Sequence, residues 1–252
     1  MTIQYCSDLH LEFRENEDYL KIHPIKPVGE VLLLAGDIMP LRLIDKYAWF
    51  LDLISSQFET VYWVPGNHEY YRYDLADKCG VINEKIRENV FLINNAAVKY
   101  EGVRLIFSTL WTEISPTNEE DIRLGMSDFH AIKYRSARFR PAHYNQLHRD
   151  SRGFLTEALK QESPEKTVVI THHVATFLNY PEKYIGDALN EAFAVELFEL
   201  IEASGVDYWI YGHHHQYIHE FEIGRTRLVT NQLGYVKYAE HRTFKPDLVI
   251  EL

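Results

Sequence analysis

Five short apolar runs in this chain each end in a turn that carries metal-binding residue types. Asp8 and His10 follow Ile3–Cys6, Asp37 follows Val31–Ala35, and Asn67 and His68 follow Val61–Val64. His172 follows Val168–Thr171, and His213 and His215 follow Tyr208–Tyr211. Each offers nitrogen or oxygen, a set that suits a pair of hard or borderline cations and not a thiolate zinc site. Asp8-Leu9-His10 has the two-residue period of extended chain, so carboxylate and imidazole can grip one ion while Leu9 turns inward. In His213-His214-His215 the outer rings share a side and His214 faces away. His172 and His173 are neighbours that must diverge, so one of the two is a ligand. The Asn67 amide can give an ion a neutral oxygen, which leaves His68 to meet a substrate. Gly36, Gly66 and Gly212 stand just before the polar groups, where the chain must turn sharply and pass close by.

Residues so far apart share a site only if the runs are neighbouring strands whose ends converge. The runs are rich in β-branched and aromatic residues and read as buried strands. Helical spacing predicts helices over Leu41–Gln57, Leu75–Asn89, Tyr144–Glu162 and Asn190–Ser204, the last capped by Gly205. Glu101-Gly102 and Gly224-Arg225 read as hairpin turns, and Leu248–Leu252 as a closing strand. The mixture predicts an α/β fold with mixed sheets and helices outside them, in one domain over residues 1–252. The stretch 112–152 stands apart as a loop-and-helix insertion, acidic early and basic late. Within it Arg135 and Arg138 are the first choices for gripping phosphate, although a solvated face is the plainer reading. Tyr70 and Tyr71, next to the Asn67-His68 turn, are candidates for stacking on substrate, against ordinary packing.

Composition sets the outer limits. With 252 residues, 46% hydrophobic and 25% charged, the chain has the make-up of a soluble globular protein that needs no disulfides. Its two cysteines point to a reducing compartment, and the cytoplasm is the expectation. No run approaches the roughly 18 apolar residues of a membrane span. A net charge of −11 opposes tracking along extended nucleic acid.

The ordered set Asp8-x-His10, Gly36-Asp37, Gly66-Asn67-His68-Glu69, His172 and Gly212-His213-x-His215 resembles the calcineurin-like metallophosphoesterases. Leu110-Trp111-Thr112, Thr171-His172-His173, Asn231 and Gly234-Tyr235 resemble a bacterial branch of that superfamily. The resemblance implies two mixed sheets packed as a sandwich, with helices on both outer faces in four layers. It implies two divalent or mixed-valence ions drawn from manganese, iron and zinc. One would take Asp8, His10, Asp37 and His215, and the other Asp37, Asn67, His172 and His213, with Asp37 bridging. It implies hydrolysis of a small phosphoester by a bridging hydroxide, with Asn67 steadying phosphoryl oxygens and His68 serving the leaving group. A diester is slightly favoured over a monoester. A protein phosphatase, a nuclease or a noncatalytic metal-holding scaffold are the alternatives. The family often places an Asp three residues after the bridging one to orient the catalytic His. Here that position is Pro40, and Glu69 is the candidate substitute. His173 is read as a support behind a metal-binding ring.

Overall fold

The computed structural model describes residues 1–161 and 165–252. Its strands, in chain order, are β1 Thr2–Cys6, β2 Val31–Ala35, β3 Thr60–Val64, β4 Ile82–Arg87, β5 Val90–Asn94, β6 Ala96–Tyr100 and β7 Val103–Ser108. They continue with β8 Lys133–Tyr134, β9 Ala137–Arg138, β10 Lys166–Thr171, β11 Tyr208–Tyr211, β12 Phe221–Ile223, β13 Thr226–Thr230 and β14 Val249–Glu251. The helices are α1 Arg14–Ile22, α2 Ala48–Gln57, α3 Glu119–Gly125, α4 Asp128–Ala131, α5 Pro141–Lys160 and α6 Phe198–Ser204.

Two six-stranded sheets carry the molecule, in the orders β14-β1-β2-β3-β5-β4 and β12-β13-β11-β10-β7-β6. Each has a parallel centre and an antiparallel strand at either edge. Alternate residues of the parallel strands face opposite sides, and both sides are buried, which is why these runs are apolar throughout. Val31, Leu33 and Ala35 of β2 meet Val168, Ile170 and Ile210 in the core between the sheets. Leu32 and Leu34 face outward to Phe50, Leu51 and Ile54 of α2. On the other outer face Val169, Trp209 and Leu228 pack on Leu155 and Ala158 of α5 and Ile201 of α6. The result is the predicted four-layer α/β sandwich.

Sequence periodicity misplaces two helices. Leu75–Asn89 is one short turn, Leu75–Asp77, followed by β4, which pairs with β5 in an antiparallel hairpin. Gly80, at φ +74°, ends any helical path there. Glu84, Lys85 and Arg87 of β4 guard a sheet edge. Within Asn190–Ser204, residues 190–192 close a separate short 3-10 turn and α6 covers only Phe198–Ser204. Between them the chain is tied to Val174, whose N–H donates to Phe193 O (3.2 Å) and whose carbonyl accepts the Val195 N–H (3.0 Å). Gly205, at φ +52°, caps α6 as expected. Of the predicted Leu41–Gln57 helix, Leu41–Leu43 is a separate turn and α2 covers the rest from Ala48. The helix expected over Tyr144–Glu162 begins earlier, at Pro141, whose missing N–H costs nothing in a first turn; Glu162 lies outside the described residues. The stretch 112–152 holds α3, α4, the small β8–β9 hairpin and the first half of α5.

Candidate metal centre

The polar turns follow the C-terminal ends of β1, β2, β3, β10 and β11, so both sheets deliver side chains to one edge. Backbone hydrogen bonds tie the turns together: Asp8 N–H to Gly36 (2.9 Å), His10 N–H to Asp37 (2.9 Å) and Gly212 N–H to His172 (3.0 Å). Asp8, His10, Asp37, His213 and His215 all have positive φ, from +47° to +80°. Non-glycine residues in that region cost about 1–3 kcal/mol each and persist where the surroundings demand them. The glycines are demanded by space. A Cβ on Gly66 would lie 2.2 Å from Asp37 Oδ1, and one on Gly36 2.3 Å from His172 Nδ1.

Besides a group of His10, Glu12 and His68, two clusters result among the described residues, one of Asp8, His10 and His215 and one of Asp37, His172 and His213. Asp37 Oδ2 lies between them, 3.7 Å from His10 Nε2 and 3.4 Å from His172 Nε2. Asn67 Oδ1 joins the second cluster, 3.1 Å from His172 Nε2. Each of the four rings meets an oxygen acceptor with its other nitrogen. His172 Nδ1 faces Ala35 O (2.9 Å), His213 Nε2 faces Ala192 O (3.3 Å), His215 Nδ1 faces Glu240 (2.9 Å) and His10 Nδ1 faces Glu12 (3.1 Å). Donation outward leaves a lone pair inward on each ring when it is neutral. Those inward nitrogens meet in pairs, His10 Nε2 with His215 Nε2 and His172 Nε2 with His213 Nδ1, both at 3.0 Å. Lone pairs at that separation repel unless positive charge lies among them. Burial opposes charge on His172 and His215, yet facing carboxylates outweigh it: Asp37 holds His172 up to about 9, and Asp8 with Glu240 holds His215 up to about 10. The donor set therefore fits two cations, with outward acceptors fixing each ring as metal-binding histidines require.

Above the clusters opens a cavity of about 400 Å³, walled by Phe13, Tyr71, Met126, Leu189, Phe193 and Tyr235 beside His68. His68 stacks on Tyr71 (ring centroids 4.0 Å apart) and turns Nε2 toward the Tyr235 hydroxyl at 3.5 Å.

The sequence matches the calcineurin-like phosphoesterase family over residues 1–217. The chain belongs to that family. This calcineurin-like phosphoesterase is accordingly a dinuclear metal-dependent hydrolase of phosphoesters. It is 28% identical to uncharacterized protein L509 of Acanthamoeba polyphaga mimivirus, over 99% of this chain and 96% of that one. A shorter match, 37% identical over 99 residues, joins it to the acyl-carrier-protein phosphodiesterase PptH of Mycobacterium tuberculosis, over 32% of this chain and 30% of that one. Among solved structures, phosphopantetheinyl hydrolase PptH from Mycobacterium tuberculosis superposes with TM-score 0.68 at 17% identity, covering 96% of this chain and 91% of the other. A dimetal phosphatase from Danio rerio gives 0.51 at 13%, covering 92% and 87%. At those identities the likeness is one of fold.

Several expectations for this phosphoesterase need correction. Tyr70 is not at the cavity: it is 1% exposed and packs against Trp111. Tyr71 does line it. Arg135 and Arg138 sit on the exposed β8–β9 hairpin and form no part of the cavity wall, since that hairpin pairs with the turn at Asp74 and not with the strand ends. Glu69 does not reach the His68 ring. Its carboxylate accepts the backbone N–H groups of Asp37, Ile38 and Gly66 (2.9, 2.7 and 2.6 Å) and the Trp63 indole N–H (3.1 Å). It thus pins the Asp37 turn to the Gly66 turn. His172, not His173, faces the clusters. His173 lies behind, its Nδ1 against Thr109 O (3.1 Å), its ring 4.3 Å from that of His213, and burial pushes its pKa down to about 3. His214 turns away to Gln232 (3.1 Å).

Three residues escaped the sequence reading, and a fourth, Tyr235, was named there only within a motif and without a place at the site. Asp128, at the start of α4, accepts the Asn67 amide N–H and the Tyr71 hydroxyl, both at 2.8 Å, and so aims Asn67 Oδ1 at the cluster. Glu12 accepts from both His10 and His68. Glu240 supports His215, and the Tyr235 ring lies 4.7 Å from that of His10 and 4.5 Å from that of His215. Glu12 extends the alternation of Asp8 and His10, a signal that could have found it. Glu240 carries no such signal.

Proposed function

We propose that the protein hydrolyses a small organic phosphodiester, using two ions held by Asp8, His10, Asp37 and His215 and by Asp37, Asn67, His172 and His213. Asp37 is the shared ligand, and residues 1–252 act as one domain. The reading for a diester rests on one observation: among the described residues the cavity wall contains no Lys or Arg. A monoester brings a dianionic group that benefits from added side-chain cations, whereas a diester carries a single charge and two organic arms. Phe13, Met126, Leu189, Phe193 and Tyr235 offer those arms apolar and aromatic walls. The relative named a phosphodiesterase points the same way.

When bound, the ions supply charge neutralisation at phosphorus and a more acidic water. Asn67, aimed by Asp128, directs its amide oxygen at the second ion's cluster and so fixes that side of the site. His68 presents Nε2 to the cavity, where a proton on that nitrogen passes to the departing oxygen. Tyr71 and Tyr235 flank the His68 ring and limit its swing. Manganese, iron and zinc all suit this donor set. Cys6 and Cys79 are both free thiols, in keeping with a reducing, cytoplasmic setting. No helix among the described residues is long and apolar enough to cross a membrane.

The test compares bis(p-nitrophenyl) phosphate with p-nitrophenyl phosphate under added manganese. The diester is expected to turn over faster, chelation to abolish turnover, and His68→Ala to lose about 100-fold or more in kcat. A protein that prefers the monoester would overturn the diester reading, and an undiminished His68→Ala variant would remove His68 from the chemistry.

A further inference from the structure

We propose that Glu12 is the positioning residue for His68, a role that rests on the reading of His68 as the group serving the leaving oxygen. The geometry is local and specific. Glu12 Oε1 lies 2.8 Å from His68 Nδ1 and 3.1 Å from His10 Nδ1, so one carboxylate oxygen accepts an N–H from both rings. Among the described residues no other oxygen is bonded to His68 Nδ1. The ring also meets the Tyr71 face, the edge of His10 with centroids 4.4 Å apart, the Phe13 ring at 6.3 Å and the Tyr235 hydroxyl at Nε2. A histidine that must present Nε2 to a substrate needs its Nδ1–H engaged, and Glu12 engages it. Without that acceptor a flipped ring becomes available, and Nε2 spends less time facing the cavity.

A purely structural role explains Glu12 poorly. Its other oxygen, Oε2, is buried and has no hydrogen-bond partner among the described residues. A buried acceptor left unpaired is destabilising. The side chain is therefore kept for what Oε1 does. Since His10 lies in one metal-binding cluster and His68 faces the cavity, the carboxylate also sets the two rings relative to each other, so that the leaving oxygen and the ion-facing atoms stay in register.

The experiment compares wild type, Glu12→Gln, His68→Ala and the double variant on diesters with p-nitrophenyl and unsubstituted phenyl leaving groups, with bound metal counted by elemental analysis. Help in protonating the leaving oxygen matters most for the more basic phenoxide. Glu12→Gln is expected to lower kcat for the phenyl ester about tenfold more than for the p-nitrophenyl ester, with KM within about twofold and both metals retained. The double variant should be no slower than His68→Ala alone, because Glu12 acts through that ring. In ¹⁵N-histidine spectra the His68 Nδ1–H signal should show a hydrogen bond to a carboxylate in wild type and a weaker one in Glu12→Gln, a readout independent of turnover. Equal slowing of both esters, loss of a metal ion, or additive losses in the double variant would each overturn the proposal and assign Glu12 to His10 alone. If His68→Ala itself shows no leaving-group selectivity, the reading of His68 fails, and the role of Glu12 fails with it. Selectivity in His68→Ala but not in Glu12→Gln leaves His68 standing and removes only Glu12.

Discussion

At the scale of single residues, the centre depends on close approach. Gly66 stands where any side chain would enter the space of Asp37 and His172, whose ring carbon lies 2.7 Å from the would-be Cβ. Asp37 in turn accepts the His68 backbone N–H at 2.9 Å, so a push on Asp37 reaches His68 as well. Gly66→Ala is therefore expected to lower kcat/KM by about 100-fold, the scale of loss that a displacement near 1 Å produces. Far-ultraviolet circular dichroism should stay native, since the strain falls on side chains at the strand end and not on the sheet. A Gly66→Ala protein with near-normal kcat/KM would show that Asp37 and His172 can yield without consequence.

At the scale of elements, the parallel strands bring the turns together, and their far ends must be held in register. Asp207, entering β11, accepts the Thr167 backbone N–H and the Lys166 ammonium of β10, both at 2.9 Å, while its own carbonyl accepts the Arg227 N–H of β13 at 3.1 Å. Burial opposes its charge, but Lys166 and the Thr167 N–H outweigh that and hold its pKa below the usual value. A carboxyl with a depressed folded-state pKa adds stability above its unfolded pKa, near 3.9, and loses it as pH falls through the folded value. Asp207→Asn should thus lower the urea midpoint at pH 7, and the gap from wild type should narrow as pH falls below about 4. A gap as wide at pH 3 as at pH 7 would assign the effect to lost packing or hydrogen-bond shape.

At the scale of the whole molecule, two separate sheets meet at the site. The segment after β13 stitches them: Ser7 N–H reaches Asn231 (3.1 Å), Leu233 N–H reaches Ser7 (3.1 Å) and Gly234 N–H reaches Asp8 (3.1 Å). Ions held between Asp8, His10 and Asp37 from one sheet and His172, His213 and His215 from the other would add a second clasp. A ligand bound only by the folded state stabilises by about 2.7 kcal/mol at a hundredfold excess over its Kd. Adding manganese should therefore raise Tm by several degrees, and chelation should reverse the rise. A Tm indifferent to both would mean that the clusters bind no ion across the sheets.

The donor residues and their order were legible because ligand chemistry belongs to the side chain itself, and because apolar strands followed by polar turns leave a local signature. Val31–Ala35 and Val168–Thr171 could be read as strands, and Asp37 and His172 as their working ends, from neighbours in sequence alone. The hairpin at β4 and β5 was not legible, since pairing with a distant partner overrides local helical spacing at Ile82–Arg87. Nor were Asp128 and Glu240, the place of Tyr235 beside the histidines, or the exile of Arg135 from the cavity and of Tyr70 into the core. Those outcomes depend on which loops meet once the two sheets have packed. The sequence by itself determined what could bind metal and at which strand ends. Only the tertiary structure decided which carboxylates stand behind the histidines and what walls the cavity, because a hydrogen bond between distant residues exists only after packing has brought donor and acceptor within about 3 Å.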